Sequence, residues 1–208
     1  MKKGILFIAI LSVLLADRAY AGMSFLKKTI VITNDREDVL LQQKFFSEGD
    51  MLRIEEESSG IEGNPGTRIY DFQKKKLYTI MLDVKLYMEQ DTEMEKEYIM
   101  FEVPPEKRYA SHKDIKVVRT KLGEDTIEGH PSAKYEVKVI RKIKEKEDQV
   151  LEKYMAWLAE DLKEMPVKYE IEFPNNSKKI ISYSSIKTEA IDPALFSIPQ
   201  GYIPISPF

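Results

Sequence analysis

Apolar and polar residues alternate along much of this chain with the two-residue period of a sheet that is wet on one face. Over residues 133–139, Tyr135, Val137 and Val139 alternate with Lys134, Glu136 and Lys138. Over 167–173, Val167, Tyr169, Ile171 and Phe173 point one way, and Lys168, Glu170 and Glu172 the other. The same reading predicts strands at 25–33, 39–46, 51–57, 67–72, 77–82 and 85–89, and later at 115–122, 150–158 and 178–188. Turn signals separate them: Asn34-Asp35, Glu48-Gly49-Asp50, a Gly-rich loop at 60–66, a turn beginning at Gly123, Gly129-His130-Pro131, residues 160–164, Asn175-Asn176 and Asp192-Pro193. A tail from Ile198 to Tyr202 reads as extended and irregular.

One segment breaks the pattern. Over 91–101, Asp91 or Thr92 can cap, Glu93 and Glu95 suit the positive end of a helix, and Met94, Tyr98 and Phe101 recur at helical spacing. Pro104-Pro105 ends it. About nine or ten turn-linked strands around so little helix predict a mainly β fold. Its antiparallel sheet curls strongly as it twists, with an apolar inside and one or two short helices. No fixed repeat and no linker interrupts 22–208, which reads as one domain.

The first 21 residues read as a secretory signal peptide. Lys2 and Lys3 form its basic start, residues 5–15 its apolar stretch, and Ala19-Tyr20-Ala21 a small-x-small cleavage site that leaves Gly22 first in the mature chain. The apolar stretch falls short of the ~20 residues of a membrane span, and no later stretch approaches that length, so no transmembrane anchor is expected in the mature chain. Export to the periplasm follows, with secretion as the alternative. Without that segment the chain keeps 29 basic and 34 acidic residues, a net of −5. Such a balance argues against nucleic-acid binding, which needs a basic footprint.

Cysteine is absent, which removes disulfides, thiol catalysis, Cys-ligated metal sites and a lipid-modified N-terminal Cys. The two histidines, His112 and His130, stand apart in loop regions with no metal-ligand spacing around them. No Gly-x-Ser-x-Gly is present, and Gly63-Asn64-Pro65-Gly66 lacks the Lys-Ser/Thr ending of a phosphate loop. Neither an enzyme activity nor a cofactor nor a metal is expected.

Aromatic and apolar side chains carry what remains. Tyr70, Phe72, Tyr78, Tyr135, Val137, Trp157, Tyr169 and Ile171 on strands, with Met94 and Tyr98 on the expected helix, are candidates to line an apolar groove under a helical lid. The alternative is that the same residues fill a closed core.

Several segments in order strengthen the first possibility. These are Ile69-Tyr70-Asp71-Phe72 through Lys76-Leu77-Tyr78-Thr79-Ile80, Lys85-Leu86-Tyr87, and Gly129-His130-Pro131-Ser132-Ala133-Lys134-Tyr135. They continue with Trp157-Leu158-Ala159-Glu160-Asp161-Leu162, Met165-Pro166-Val167-Lys168 and the run from Asp192 to Tyr202. Over residues 25–203 the chain resembles an uncharacterised family of bacterial exported proteins with a LolA-like, outer-membrane lipoprotein carrier-like fold. The resemblance implies an unclosed half-barrel wrapped on helices and an envelope role in Gram-negative bacteria. In the better-known members the cavity carries lipoprotein acyl chains. Two functions stay open: a carrier for a lipid or acyl chain, and a non-enzymatic structural or interaction module that pairs with an envelope protein partner.

Overall fold

A computed structural model describes residues 22–57, 66–143, 147–173 and 175–206. The expected signal peptide, including Ala21, and most of the 60–66 loop lie outside the described residues. The first half runs β1 (Met23–Thr33), β2 (Arg36–Glu48), β3 (Met51–Glu57), β4 (Thr67–Asp71), β5 (Lys76–Met81), β6 (Leu86–Asp91), α1 (Lys96–Met100) and α2 (Pro105–Arg108). The second half runs β7 (Ile115–Ile127), β8 (His130–Arg141), β9 (Gln149–Ala159), β10 (Met165–Glu172), β11 (Lys178–Thr188) and β12 (Ile203–Ile205). Single-turn helices at Glu160–Leu162 and Pro193–Phe196 link the later strands. Among the described residues, no helix is long and apolar enough to cross a membrane.

All strands join one 12-stranded sheet in the order β12-β6-β5-β4-β3-β2-β1-β11-β10-β9-β8-β7. Each neighbouring pair is antiparallel except β12 with β6. The ends β12 and β7 do not pair, so the sheet is an unclosed half-barrel, as expected. Turn chemistry sets the hairpins. Asn34 and Asp35 take φ 50° and 62°, the left-handed pair that a two-residue hairpin turn requires and that Asn and Asp tolerate. Gly22 has a different reason to be glycine. A Cβ there would stand 2.1 Å from Glu48 Oε2 and 2.5 Å from Ile191 Cγ1.

The inner face of β1–β4 and β11 carries the main core. Phe25 stacks on Phe45 with centroids 4.8 Å apart, and Leu52, Ile54, Tyr70, Ile181 and Tyr183 complete it. Outside, charges form ladders: Lys138–Glu136–Lys153 across β8 and β9, and Lys168–Glu170–Lys178 across β10 and β11. The tail crosses the outer face of β3, where Arg53 donates to the Leu195 carbonyl at 2.8 Å. It then adds β12 to the β6 edge.

The expected helix over 91–101 is corrected. Only Lys96–Met100 is helical, because β6 continues to Asp91. Lys76 bonds Glu89 at 2.8 Å and Asp91 at 3.0 Å, so strand pairing overrides the local cap signals. The expected turn at Gly123 is instead a bulge inside β7, where the register shifts between Lys121 and Gly123.

The ion pairs give the fold an acid limit. Burial alone would raise Glu170, but hydrogen bonds from Lys168 and Lys178 outweigh it and hold its carboxyl below the usual range. Glu106 is likewise opposed by burial and held down by Arg119. A depressed folded pKa contributes stability above the unfolded value of ~4.5, lost as pH falls through the folded pKa. Each of these two partly covered pairs is worth up to about 1 kcal/mol. Urea midpoints should therefore be flat from about pH 6 to 8 and fall below about pH 4.5. An unchanged midpoint at pH 3.5 would contradict this account.

Candidate functional site

Part of the concavity is filled and part is not. Phe101 follows α1 and inserts against Phe25 and Tyr183, with centroids 5.7 Å from each. Met100 is buried beside it. That side is closed core. Beyond it the sheet, chiefly β8, β9 and β10, and the segment 96–108 enclose an open-sided groove of about 1360 Å³ that also reaches Met23, Ser47 and the Gly49–Asp50 turn. Its sheet wall comprises Tyr135 and Val137 from β8, Tyr154, Ala156 and Leu158 from β9, and Tyr169 and Ile171 from β10. Cross-strand registers place these on one face: Tyr135 opposite Ala156, Val137 opposite Tyr154, and Tyr169 opposite Ala156. Tyr98, Val103, Pro104 and Pro105 form the facing wall.

That facing segment is a strap tied at both ends. Lys96 Nζ donates to the Gly49 carbonyl at 2.6 Å, at the β2–β3 turn. Midway, Glu102 lies 3.5 Å from the largely covered Lys27 ammonium. Burial draws the Lys27 pKa below the usual lysine range, against the pull of Glu102. At the far end Glu106 takes two hydrogen bonds from Arg119 of β7, at 2.6 and 2.9 Å. Arg108 donates to both oxygens of Glu152 of β9, at 3.0 and 3.1 Å, and the Tyr109 hydroxyl also donates to Glu152. Pro105, at the first position of α2, is buried. Two prolines in the middle of the strap limit helix to a single turn on either side.

Three tyrosines run edge to face from the groove floor into the closed core. Tyr154 and Tyr169 are 6.0 Å apart, and Tyr169 and Tyr183 6.5 Å. Burial pushes the Tyr169 phenol up to about 12, with the Glu102 charge adding to it. Tyr154 and Tyr183 are also raised, chiefly by burial. All three hydroxyls therefore stay protonated around neutral pH, so these rings carry no phenolate charge.

Of the residues singled out in the sequence, Tyr98, Tyr135, Val137, Tyr169 and Ile171 meet at this groove. The other five lie elsewhere. Tyr70 belongs to the closed core with Phe72 stacked on it at 5.8 Å. Tyr78 is opposite Ile69 on the outer face of β4 and β5. Met94 precedes α1, exposed beside a shallow depression of about 390 Å³ that Phe72 also reaches. Trp157 sits on the outer face, packed with Ala159 and Val167. Val167 joins it because the β9–β10 register slips between Pro166 and Lys168, so this residue faces away from Tyr169. Tyr154, Ala156 and Leu158 were missed, although their own period of two is plain once the register chooses the face.

His130 begins β8, and its Nδ1 lies 2.8 Å from Asp161 Oδ2. Nearby, the Ser132 hydroxyl donates to the His130 carbonyl, which occupies it away from the imidazole. The arrangement offers no activated nucleophile. Among the described residues, no three His, Asp or Glu side chains converge as metal ligands.

No protein-family model matches the sequence, and no curated protein matches it. Solved structures similar in fold include an uncharacterised conserved protein from Thermus thermophilus, 9% identical, with 92% of this chain and 96% of that one covered and a TM-score of 0.47. A LolA superfamily protein from Nitrosomonas europaea is 12% identical over 86% of this chain and 90% of that one, with a TM-score of 0.36. The Mycobacterium tuberculosis lipoprotein LppX is 12% identical over 85% and 91%, with a TM-score of 0.42. These likenesses concern fold, and nothing about ligand or activity is carried over from them.

Proposed function

We propose that this is an exported, non-enzymatic binding or carrier protein of the cell envelope that holds an apolar chain, such as a lipid tail, between its curved sheet and its strap. The observation that carries this reading is the unfilled part of the concavity. Apolar side chains supply most of the lining of about 1360 Å³ there, with charged residues among the rest, and the volume exceeds the roughly 300–1,000 Å³ of an ordinary small-molecule pocket. A fold with no use for that space would close it, since interiors pack to crystal-like density. The dominance of aromatic and aliphatic walls favours an extended apolar group over a sugar or a nucleotide. Burying about 16 methylenes at about 0.8 kcal/mol each contributes about 13 kcal/mol. Association costs of about 5 kcal/mol leave about 8, which is micromolar binding.

A fluorescent fatty-acid probe should therefore bind saturably, one per chain, at low micromolar concentration, and native mass spectrometry of protein from its host should find co-extracted lipid. Folded protein that binds no probe at high micromolar concentration and carries no lipid would overturn the reading. One observation favours the second possibility, an interaction module. The outer edge of β7, 13 residues long, has no strand beside it among the described residues, and such an edge can accept a partner strand.

A further inference from the structure

The cations around the groove are nearly all engaged, whereas the exposed acids Asp50, Glu164 and Glu172 at its rim carry no ion pair among the described residues. Arg119 is engaged by Glu106, Arg108 by Glu152 and Lys27 by Glu102. Lys153, at the mouth, is engaged by Glu136 at 2.9 Å, and Lys96 by the Gly49 carbonyl. Lys179 is different. It lies on β11 opposite Ile171, on the face that lines the groove, and is half-buried. Among the described residues it makes no ion pair and no hydrogen bond to a carboxylate. Within the concavity its like charge is felt by Lys27, on which Glu102 acts more strongly. The acid one step along β10, Glu172, is exposed, pairs in register with Lys178 and acts on Lys153.

An ammonium on the lining face with no paired carboxylate among the described residues leaves its charge available to an anionic partner. Lys179 stands at the end of the groove marked by Ile171 and Phe173, beyond the aromatic floor.

We infer that the ligand is an amphiphile with an anionic headgroup, a carboxylate or a phosphate, which rests on Lys179 while its chain runs along β9 and β10 beneath the strap. This deepens the proposed carrier reading and rests on it. The head would supply the missing counter-charge, and the charge-assisted hydrogen bond would fix the direction in which the chain enters.

The test compares three probes with the same chain and different heads: dodecanoate, dodecyl phosphate and dodecanol. Wild-type protein should bind the two anions about tenfold more tightly than the alcohol, the yield of one partly buried charge-assisted hydrogen bond. Lys179→Met should remove that preference, and Lys179→Arg should restore it. The Met variant keeps the apolar stem and removes a like charge, so its fold, followed by circular dichroism, should be intact. Preference for only one of the two anions would identify the head as carboxylate or phosphate. Equal binding of all three by wild type, or an anion preference that survives in Lys179→Met, would overturn the headgroup assignment while leaving the groove reading intact. Binding of none of them would overturn both.

Discussion

Replacing Trp157 with Ala should cost about 3–5 kcal/mol of folding stability and leave the apolar-probe affinity of the folded protein unchanged. Trp157 is 3% exposed, and its surroundings are on the outer face. Lys134 and Lys168 lie across it from the neighbouring strands, their ammonium groups 4.9 and 4.8 Å from the ring. Their stems cover the indole, and each cation adds about 0.5–1 kcal/mol. The indole N–H is buried with no hydrogen-bond partner among the described residues. Trp157→Phe should therefore be much milder, since the lost area is offset by removal of an unsatisfied donor worth about 1–3 kcal/mol. Urea unfolding measures the first effect and probe titration under native conditions the second. A Trp157→Ala protein that stays within about 1 kcal/mol of wild type, or one that folds but loses the probe, would show that the ring faces inward after all.

That contrast marks where the sequence was legible and where it was not. Strict alternation with charges, as in Tyr135-Glu136-Val137-Lys138, reveals both the strand and its buried side, because a misplaced Lys or Glu would be costly inside. The hairpin at Asn34-Asp35 was equally plain, since few residues accept left-handed backbone at two successive positions. The stretch Tyr154-Met155-Ala156-Trp157-Leu158 is apolar on both sides, so periodicity leaves its face undecided. The largest ring attracted attention, whereas the partner strands put Ala156 inside. In the same way a single-residue slip at Val167 reversed a face that alternation alone had extended too far. The strap was misjudged for another reason. Cap-like residues at Asp91 and Thr92 compete with a strand already paired to β5, and the longer-range pairing wins. Lys179 could not be picked from the sequence among so many lysines, because only the strand register with Ile171 places it on the lining face.

The second large effect concerns the groove itself. Leu158 and Ile171 are half-buried and line it from adjacent strands, so each can accept a larger side chain that extends into the open space without displacing core atoms. Leu158→Trp and Ile171→Trp together should occupy much of the path that an apolar chain would take between the sheet and Pro104-Pro105. The expected result is at least a hundredfold loss of probe affinity, equivalent to about 2.7 kcal/mol or more, with no loss of stability. Overpacking in a filled core would instead destabilise by about 1–3 kcal/mol. The stability of the double variant thus reports whether the space is open, and its probe affinity reports whether that space is where the chain goes. A variant that folds as well as wild type and still binds the probe at the wild-type concentration would place the apolar chain somewhere other than beneath the strap. A variant destabilised by several kcal/mol would show that the groove is already full.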